Sequence, residues 1–125
     1  MNADNKPPKD LKVRTKQFAL RVIRVFTSLP ATTVGQTLGK QFLRSGTSVG
    51  AHYREACRAR SDAEFISKIE GGLQELEETI YWLELVIEAE LIPADRLADL
   101  LQEASELNAI LTASVRTVKA RLAGG

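Results

Sequence analysis

The sequence has one cysteine, one histidine and no long apolar run, and each shortage excludes a class of protein. Cys57 alone cannot form an intrachain disulfide or a cysteine metal cluster. No apolar stretch reaches the roughly 18–20 residues that cross a bilayer, and residues 1–10 lack the apolar core of a signal peptide. We therefore expect a soluble, cytoplasmic protein.

The scarcity of histidine also argues against catalysis. Di-iron sites in helix bundles need Glu-x-x-His pairs on two helices, and the residue three before His52 is Val49. His52 and Cys57 are five residues apart, about 140° around a helix, so they cannot pair within one chain. No glycine-rich loop follows a strand to hold a nucleotide phosphate. We expect no enzyme activity, no metal and no cofactor.

What the sequence does contain is four segments with apolar residues at helical spacing. The first runs from the predicted N-cap Asp10 to Pro30, and the second ends near Ala56. The third opens with the capping box Ser61–Glu64, and the fourth follows Pro93, a residue suited to the first turn of a helix.

Four amphipathic helices with short connections, and no strand-like alternation, predict an all-α protein that forms an antiparallel up-and-down four-helix bundle. One domain is expected over residues 11–122, because the chain is long enough for one core and shows no repeat. Residues 1–10 are expected to form a flexible tail.

Small residues cluster on one flank of the second predicted helix. At about 100° per residue, Gly39, Gly46 and Gly50 share this flank with Cys57. A glycine inside a helix costs roughly 1 kcal/mol relative to Ala, so several together need a reason. We expect a neighbouring helix to approach closely there and Cys57 to be packed. A local break near Ser45–Gly46 is the alternative.

The net charge of +1 conceals two halves of opposite sign. Residues 1–60 hold twelve Lys and Arg against three acids, a net of +9. Residues 61–125 hold five basic residues against thirteen acids, a net of −8. Such an asymmetry predicts either a polyanionic partner or subunits that meet basic face to acidic face.

The basic residues of the first two helices form the candidate site. Arg14, Arg21 and Arg24 lie on one stripe of the first helix. On the second helix, Lys40, Arg54 and Arg58 lie roughly opposite the core stripe, and Arg44 lies near them. A merged basic surface of this kind predicts binding to the phosphate backbone of RNA or DNA. No aromatic residues interleave with the arginines, which disfavours base-specific reading of single strands. The alternative is that this surface neutralises the acidic third and fourth helices.

Apolar residues outside the core stripes predict self-association. Leu20, Ile23 and Val13 lie on the far side of the first helix, and three more lie off the core stripe of the third: Tyr81, Trp82 and Leu85. Exposed apolar surfaces of this kind usually mark interfaces. Because the two surfaces differ and the charge is asymmetric, we expect a head-to-tail contact, which closes into a ring if the rotation allows.

Several short motifs resemble a bacterial protein family. Ser48-Val49, Glu55 seven residues after Ser48, Arg60-Ser61 and Glu64-Phe65-Ile66 are similar to its central signature, and residues 73–79 (LQELEET) are similar to a later segment. The family is named for open reading frames within intervening sequences of 23S ribosomal RNA genes, and the similarity spans residues 11–120. This chain departs from the signature where Gly50 replaces its Pro, His52 its Asn and Ala56 its Gly.

The resemblance implies a four-helix bundle, assembled as a homopentamer, with no established enzyme activity and an association with ribosomal RNA through gene context. Related bundles accompany reverse transcriptases and bind nucleic acid through a basic surface of the pentamer. We therefore expect a non-enzymatic oligomer that binds RNA, ribosomal RNA among the candidates, or another nucleic acid. The alternative is a purely structural oligomeric adaptor that docks another protein.

Overall fold

The computed structural model describes residues 10–124, which form four α-helices. They are α1 (Leu11–Ser28), α2 (Thr33–Cys57), α3 (Asp62–Glu88) and α4 (Ala94–Gly124), and this part of the chain contains no strand. The all-α prediction is confirmed. Of the predicted N-terminal tail, residues 1–9 lie outside the described range.

Side chains cap the starts of α1, α2 and α3, and the sequence pattern identifies the caps of α1 and α3. The Asp10 carboxylate accepts a hydrogen bond from the Lys12 N–H at 2.9 Å, and the Ser61 hydroxyl accepts one from the Glu64 N–H at 3.1 Å. Thr32 caps α2 in the same way. Each cap satisfies a backbone donor that would otherwise lack a partner, which stabilises a helix by about 1 kcal/mol.

Each helix packs against the next one along the chain, and the contact between α2 and α3 is the most extensive. α4 returns to α1 through the thinnest contact. Within residues 10–124, α1 and α3 have no Cα atoms within 8 Å of each other, and neither have α2 and α4. The four helices therefore surround one core, to which all of them contribute large, fully buried side chains: Phe18, Phe42, Ile69, Leu76, Leu83, Leu97, Leu107 and Leu111.

The glycine flank of α2 faces α1 at close range. A Cβ atom added to Gly46 would lie 2.7 Å from Val22 Cγ2, and one added to Gly39 would lie 2.8 Å from Leu29 Cδ1. α2 is continuous from Thr33 to Cys57. The predicted close approach is confirmed, and the alternative of a local break is wrong. The prediction of a packed Cys57 is also wrong, because this side chain is exposed at the last residue of α2.

Residues 10–124 contain neither a candidate membrane span nor a candidate metal cluster. None of the four helices combines the length and apolar character that a membrane span requires. No three His, Cys, Asp or Glu side chains in this range come together as a possible metal site.

Candidate nucleic-acid interface

Arg14 is not part of an exposed basic stripe, contrary to the sequence-based prediction. Its side chain is only 10% exposed, and Arg14 Nε lies 2.7 Å from Glu103 Oε2. Arg14 Nη2 donates to Glu103 Oε1 at 2.8 Å and to Glu106 Oε1 at 2.9 Å. The side chain therefore joins α1 to α4. It is neutralised inside the protein and is unavailable to a phosphate.

The pKa values of Arg14 and Glu106 are both shifted from their ordinary values. Hydrogen bonding to Glu103 raises the pKa of Arg14 despite the opposing effect of burial. Hydrogen bonds from Gln102 and then from Arg14 lower the pKa of Glu106 below its ordinary value of 4.5. A depressed carboxylate pKa means that the folded state favours the ionised form more than the unfolded state does.

Stability should therefore fall in acid partly through Glu106. Its contribution is present above the ordinary carboxylate pKa and is lost as the pH falls through the lowered pKa of the folded state. We expect the unfolding midpoint of the wild type to exceed that of Glu106→Gln near pH 7, and the difference to shrink towards about pH 3. Urea unfolding of both proteins at both pH values measures this difference in midpoint. A difference independent of pH would contradict this assignment.

Arg44 is exposed but already paired. Its guanidinium lies 3.2 Å from Glu78 Oε1 and 3.6 Å from Glu75 Oε2, and both carboxylates belong to α3. At this position a predicted cation of the second helix does neutralise carboxylates of the acidic third helix, as the alternative interpretation expected. Arg44 is therefore a weak candidate for a phosphate contact.

The groove between α1 and α2 brings together two cations from different helices. Lys16 of α1 and Arg54 of α2 line a cavity of about 230 Å³, whose other lining residues are small or polar: Thr15, Ala19, Thr47, Gly50 and Ala51. Both cations are exposed, and neither forms an ion pair with a carboxylate of residues 10–124. Lys16 was not among the predicted site residues. Its position one turn after Lys12, away from the core stripe, is the signal that could have identified it.

Two more predicted cations extend this surface along α2. Lys40 and Arg58 are exposed and form no ion pair within the described part of the chain. They are separated by five full helical turns, so they lie on the same face of α2, with Arg54 close to that face. We call Lys16, Lys40, Arg54 and Arg58 the basic surface.

The remaining predicted cations lie on the other edge of α1. Arg24 lines a cavity of about 180 Å³ together with Ser28 and, from the start of α4, Arg96. Arg21 is half-buried. The single merged surface predicted from the sequence is therefore divided, with one part beside α2 and the other beside α4.

The apolar residues outside the core are exposed to different degrees. Leu20, Ile23 and Val13 are 42%, 40% and 43% exposed, and Tyr81 is 53% exposed. Trp82 and Leu85 are half-buried, and Trp82 packs against the core. The ring centroids of Tyr81 and Trp82 are 5.1 Å apart in an edge-to-face arrangement. The tryptophan is therefore less exposed than its position on the helix predicted.

With this geometry in place, comparison with known proteins identifies the family. The sequence model of the family described as "23S rRNA-intervening sequence protein" matches residues 9–113, which is most of the chain. The chain belongs to this family. The resemblance inferred from the short motifs is thereby confirmed.

A solved structure of a related protein extends the similarity to the fold. It is a protein of unknown function from the S23 ribosomal protein family of Bacteroides thetaiotaomicron, with 37% sequence identity and a TM-score of 0.79. The match covers 84% of this chain and 97% of that one. None of the curated proteins matches this chain.

In this family member, the signature residues lie where α2 meets α3. Glu55 Oε2 is 3.8 Å from Lys68 Nζ, and His52, which replaces the family's Asn, has its Nδ1 3.6 Å from Glu55 Oε1. The His52 ring also packs against Gly71, whose added Cβ would lie 3.0 Å from it. Ser61 caps α3 at the same junction. The contacts of Glu55 with Lys68 and of His52 with Gly71 connect α2 to α3, the two most extensively packed helices.

Proposed function

We propose that this protein is a non-enzymatic, cytoplasmic, oligomeric helix bundle that binds the phosphate backbone of nucleic acid through the basic surface. One observation carries the proposal: Lys16 and Arg54 come from two helices, line one groove and have no carboxylate partner within the described residues. Arg14 and Arg44, by contrast, are already paired with glutamates. Free cations on two walls of a groove suit a chain of phosphates.

RNA is the first ligand to test. The family takes its name from 23S ribosomal RNA, and the solved relative is assigned to a ribosomal protein family. The exposed aromatic residue, Tyr81, lies on α3 and not on the basic surface. Among residues 10–124, no exposed aromatic side chain therefore lies beside the cations to stack on bases, and we expect binding that tolerates changes of sequence.

The double variant Lys16→Gln/Arg54→Gln tests this proposal. A plot of log affinity against log salt concentration should become shallower by about 0.7–0.9 for each phosphate contact that is lost. The affinity itself should fall by about tenfold or more at low salt. Fluorescence anisotropy with a structured RNA, measured at several salt concentrations, provides both quantities. Light scattering should show the same mass for variant and wild type.

Arg44→Gln is the matched control, because Arg44 is an exposed cation of α2 that is already paired with Glu78. Its affinity for the RNA should change much less than that of the double variant. If wild type binds no RNA at low salt, or if both variants lose affinity equally, the basic surface is not the binding site.

We propose a homopentameric ring as the assembly, with the four helices of each subunit in an antiparallel up-and-down arrangement. The order of contacts supports the arrangement, since Gly46 meets Val22 of α1 and Gly50, further along α2, meets the earlier Thr15. The exposed apolar residues of α1 and α3 support self-association. A ring would repeat the basic surface and add avidity for a long nucleic acid.

The same exposed apolar residues favour a second candidate function, an oligomeric adaptor that docks another protein. Wild-type protein that forms the oligomer but binds neither RNA nor DNA would support the adaptor.

A further inference from the structure

A cavity of about 660 Å³ lies at the end of the bundle where the link between α2 and α3 meets the last turns of α4. Residues 59–61 of the link line it together with the end of α2, the first turn of α3 and, from α4, Val118 and Arg121. Its volume is within the range of roughly 300–1,000 Å³ that is typical of small-molecule sites. None of the four cations of the basic surface lines this cavity, so it is distinct from the proposed nucleic-acid site.

Part of the cavity lining is apolar. Ala56 and Val118, which are 2% and 9% exposed, line it together with Phe65, which is half-buried and packs against the core. A ligand ring that rests on these side chains would remove apolar surface from water, which favours binding. The aromatic ring of Phe65 also favours an aromatic ligand, since two rings attract each other in edge-to-face or offset arrangements.

Two guanidinium groups line the same cavity. Arg60, in the link, is exposed and forms no ion pair with a carboxylate of residues 10–124. Arg121 Nη2 lies 3.0 Å from Asp62 Oδ1, and Asp62 lines the cavity as well. This second pair is open to solvent and therefore weak. The lining thus holds two positive charges and one negative charge, and the charge of Arg60 is the one left without a partner.

We propose that this cavity binds a small amphipathic anion, a molecule with an aromatic body and one carboxylate or phosphate group. The body rests on Phe65 and Val118, and the anionic group accepts hydrogen bonds from Arg60. A guanidinium presents its N–H donors in a planar fork that matches the oxygens of either anion. Because Asp62 already occupies Arg121, Arg60 is the main contact of the anionic group. This binding does not depend on the proposed binding of nucleic acid.

Cys57 can report whether the cavity is occupied, because this exposed residue, the chain's one cysteine, also lines it. Alkylation of the wild type by iodoacetamide is followed by mass spectrometry with four probes: 1-naphthoate, 1-naphthyl phosphate, the neutral 1-naphthalenemethanol and inorganic phosphate. At least one of the two naphthyl anions should slow the alkylation severalfold, and the one that protects at the lower concentration identifies the preferred anionic group. The alcohol and inorganic phosphate should protect much less, because each has only one of the two features that the cavity recognises.

Substitutions in the lining test the role of the charges. Arg60→Gln should raise the dissociation constant of the protecting anion by about tenfold, because a charge-assisted hydrogen bond is lost. Asp62→Asn should lower this constant, because Arg121 loses its competing carboxylate. Isothermal titration calorimetry measures both changes. Arg60 is exposed, so its replacement should leave the circular dichroism spectrum unchanged.

Arg116→Gln is the matched control, because Arg116 is an exposed cation of α4 that does not line the cavity. It should leave the dissociation constant of the protecting anion unchanged. Failure of both naphthyl anions to protect Cys57 would overturn the proposal, and so would protection by the neutral alcohol equal to theirs. Binding that Arg60→Gln weakens no more than Arg116→Gln does would also overturn it.

Discussion

Replacing Arg14 with Met is expected to lower the free energy of unfolding by about 3–5 kcal/mol, the usual cost of removing one partner of a buried ion pair. The variant leaves Glu103, whose side chain is 9% exposed, without the guanidinium that makes two hydrogen bonds to it. α4 touches α1 through the thinnest helix contact of the fold, so little else compensates at that interface. Urea unfolding followed by circular dichroism measures the loss.

Two further variants make this expectation specific. Arg44→Met removes an exposed guanidinium together with its pairs to Glu78 and Glu75, and it should change the stability by less than about 1 kcal/mol. Arg14→Met/Glu103→Met removes both buried charges and should recover most of the loss, because no carboxylate is left unpaired in an apolar setting. An Arg14→Met variant no less stable than Arg44→Met would contradict a buried role for Arg14.

The features of the fold that depend on local chemistry could be predicted from the sequence. Asp10 and Ser61 were identifiable as N-caps because an N-cap depends only on the next few residues. The glycines at 39 and 46 indicated a close helix contact because glycine in a helix interior has a known cost. Apolar periodicity indicated the core side of each helix in the same way.

Which basic residues are free and which are paired could not be predicted from local sequence patterns. Periodicity gives the angle between a side chain and the core but does not give the neighbour that covers each flank. Arg14 and Lys16 both lie away from the centre of the core stripe, yet Arg14 faces Glu103 of α4, whereas Lys16 lines the groove beside α2. The deciding information is 89 residues away in the sequence, and it depends on how α4 returns to α1.

Trp82 shows the same limit of helical periodicity for an apolar residue. It lies off the centre of the core stripe of α3, but a wide indole at the edge of a helix face can still reach the core. Exposure therefore depends on the size of the side chain as well as on its angle. Tyr81, the adjacent residue, is the better probe of the outer surface at 53% exposure.

The second large effect is expected at the α1–α2 contact, where Gly46→Ala should destabilise the protein by about 1–3 kcal/mol. The new methyl group would lie 2.7 Å from Val22 Cγ2 and 2.8 Å from Val22 Cγ1, so either Val22 or the whole of α1 must move. Val22 is fully buried and cannot turn towards solvent. This overpacking should outweigh the gain of up to about 1 kcal/mol that Ala brings to a helix interior.

Gly72→Ala is the matched control, because Gly72 is also buried in a helix interior. A Cβ added there would lie 3.4 Å from its nearest neighbour, His52 Cβ, which is an ordinary van der Waals contact. The same substitution should therefore stabilise the protein by about 0.5–1 kcal/mol at this position. Combining Gly46→Ala with Val22→Ala should cost less than the sum of the two single changes, because the shortened side chain makes room for the new methyl group. If Gly46→Ala stabilises the protein as much as Gly72→Ala does, then α1 can move to make room for the methyl group at little cost. The glycine flank of α2 would then need a reason other than close packing.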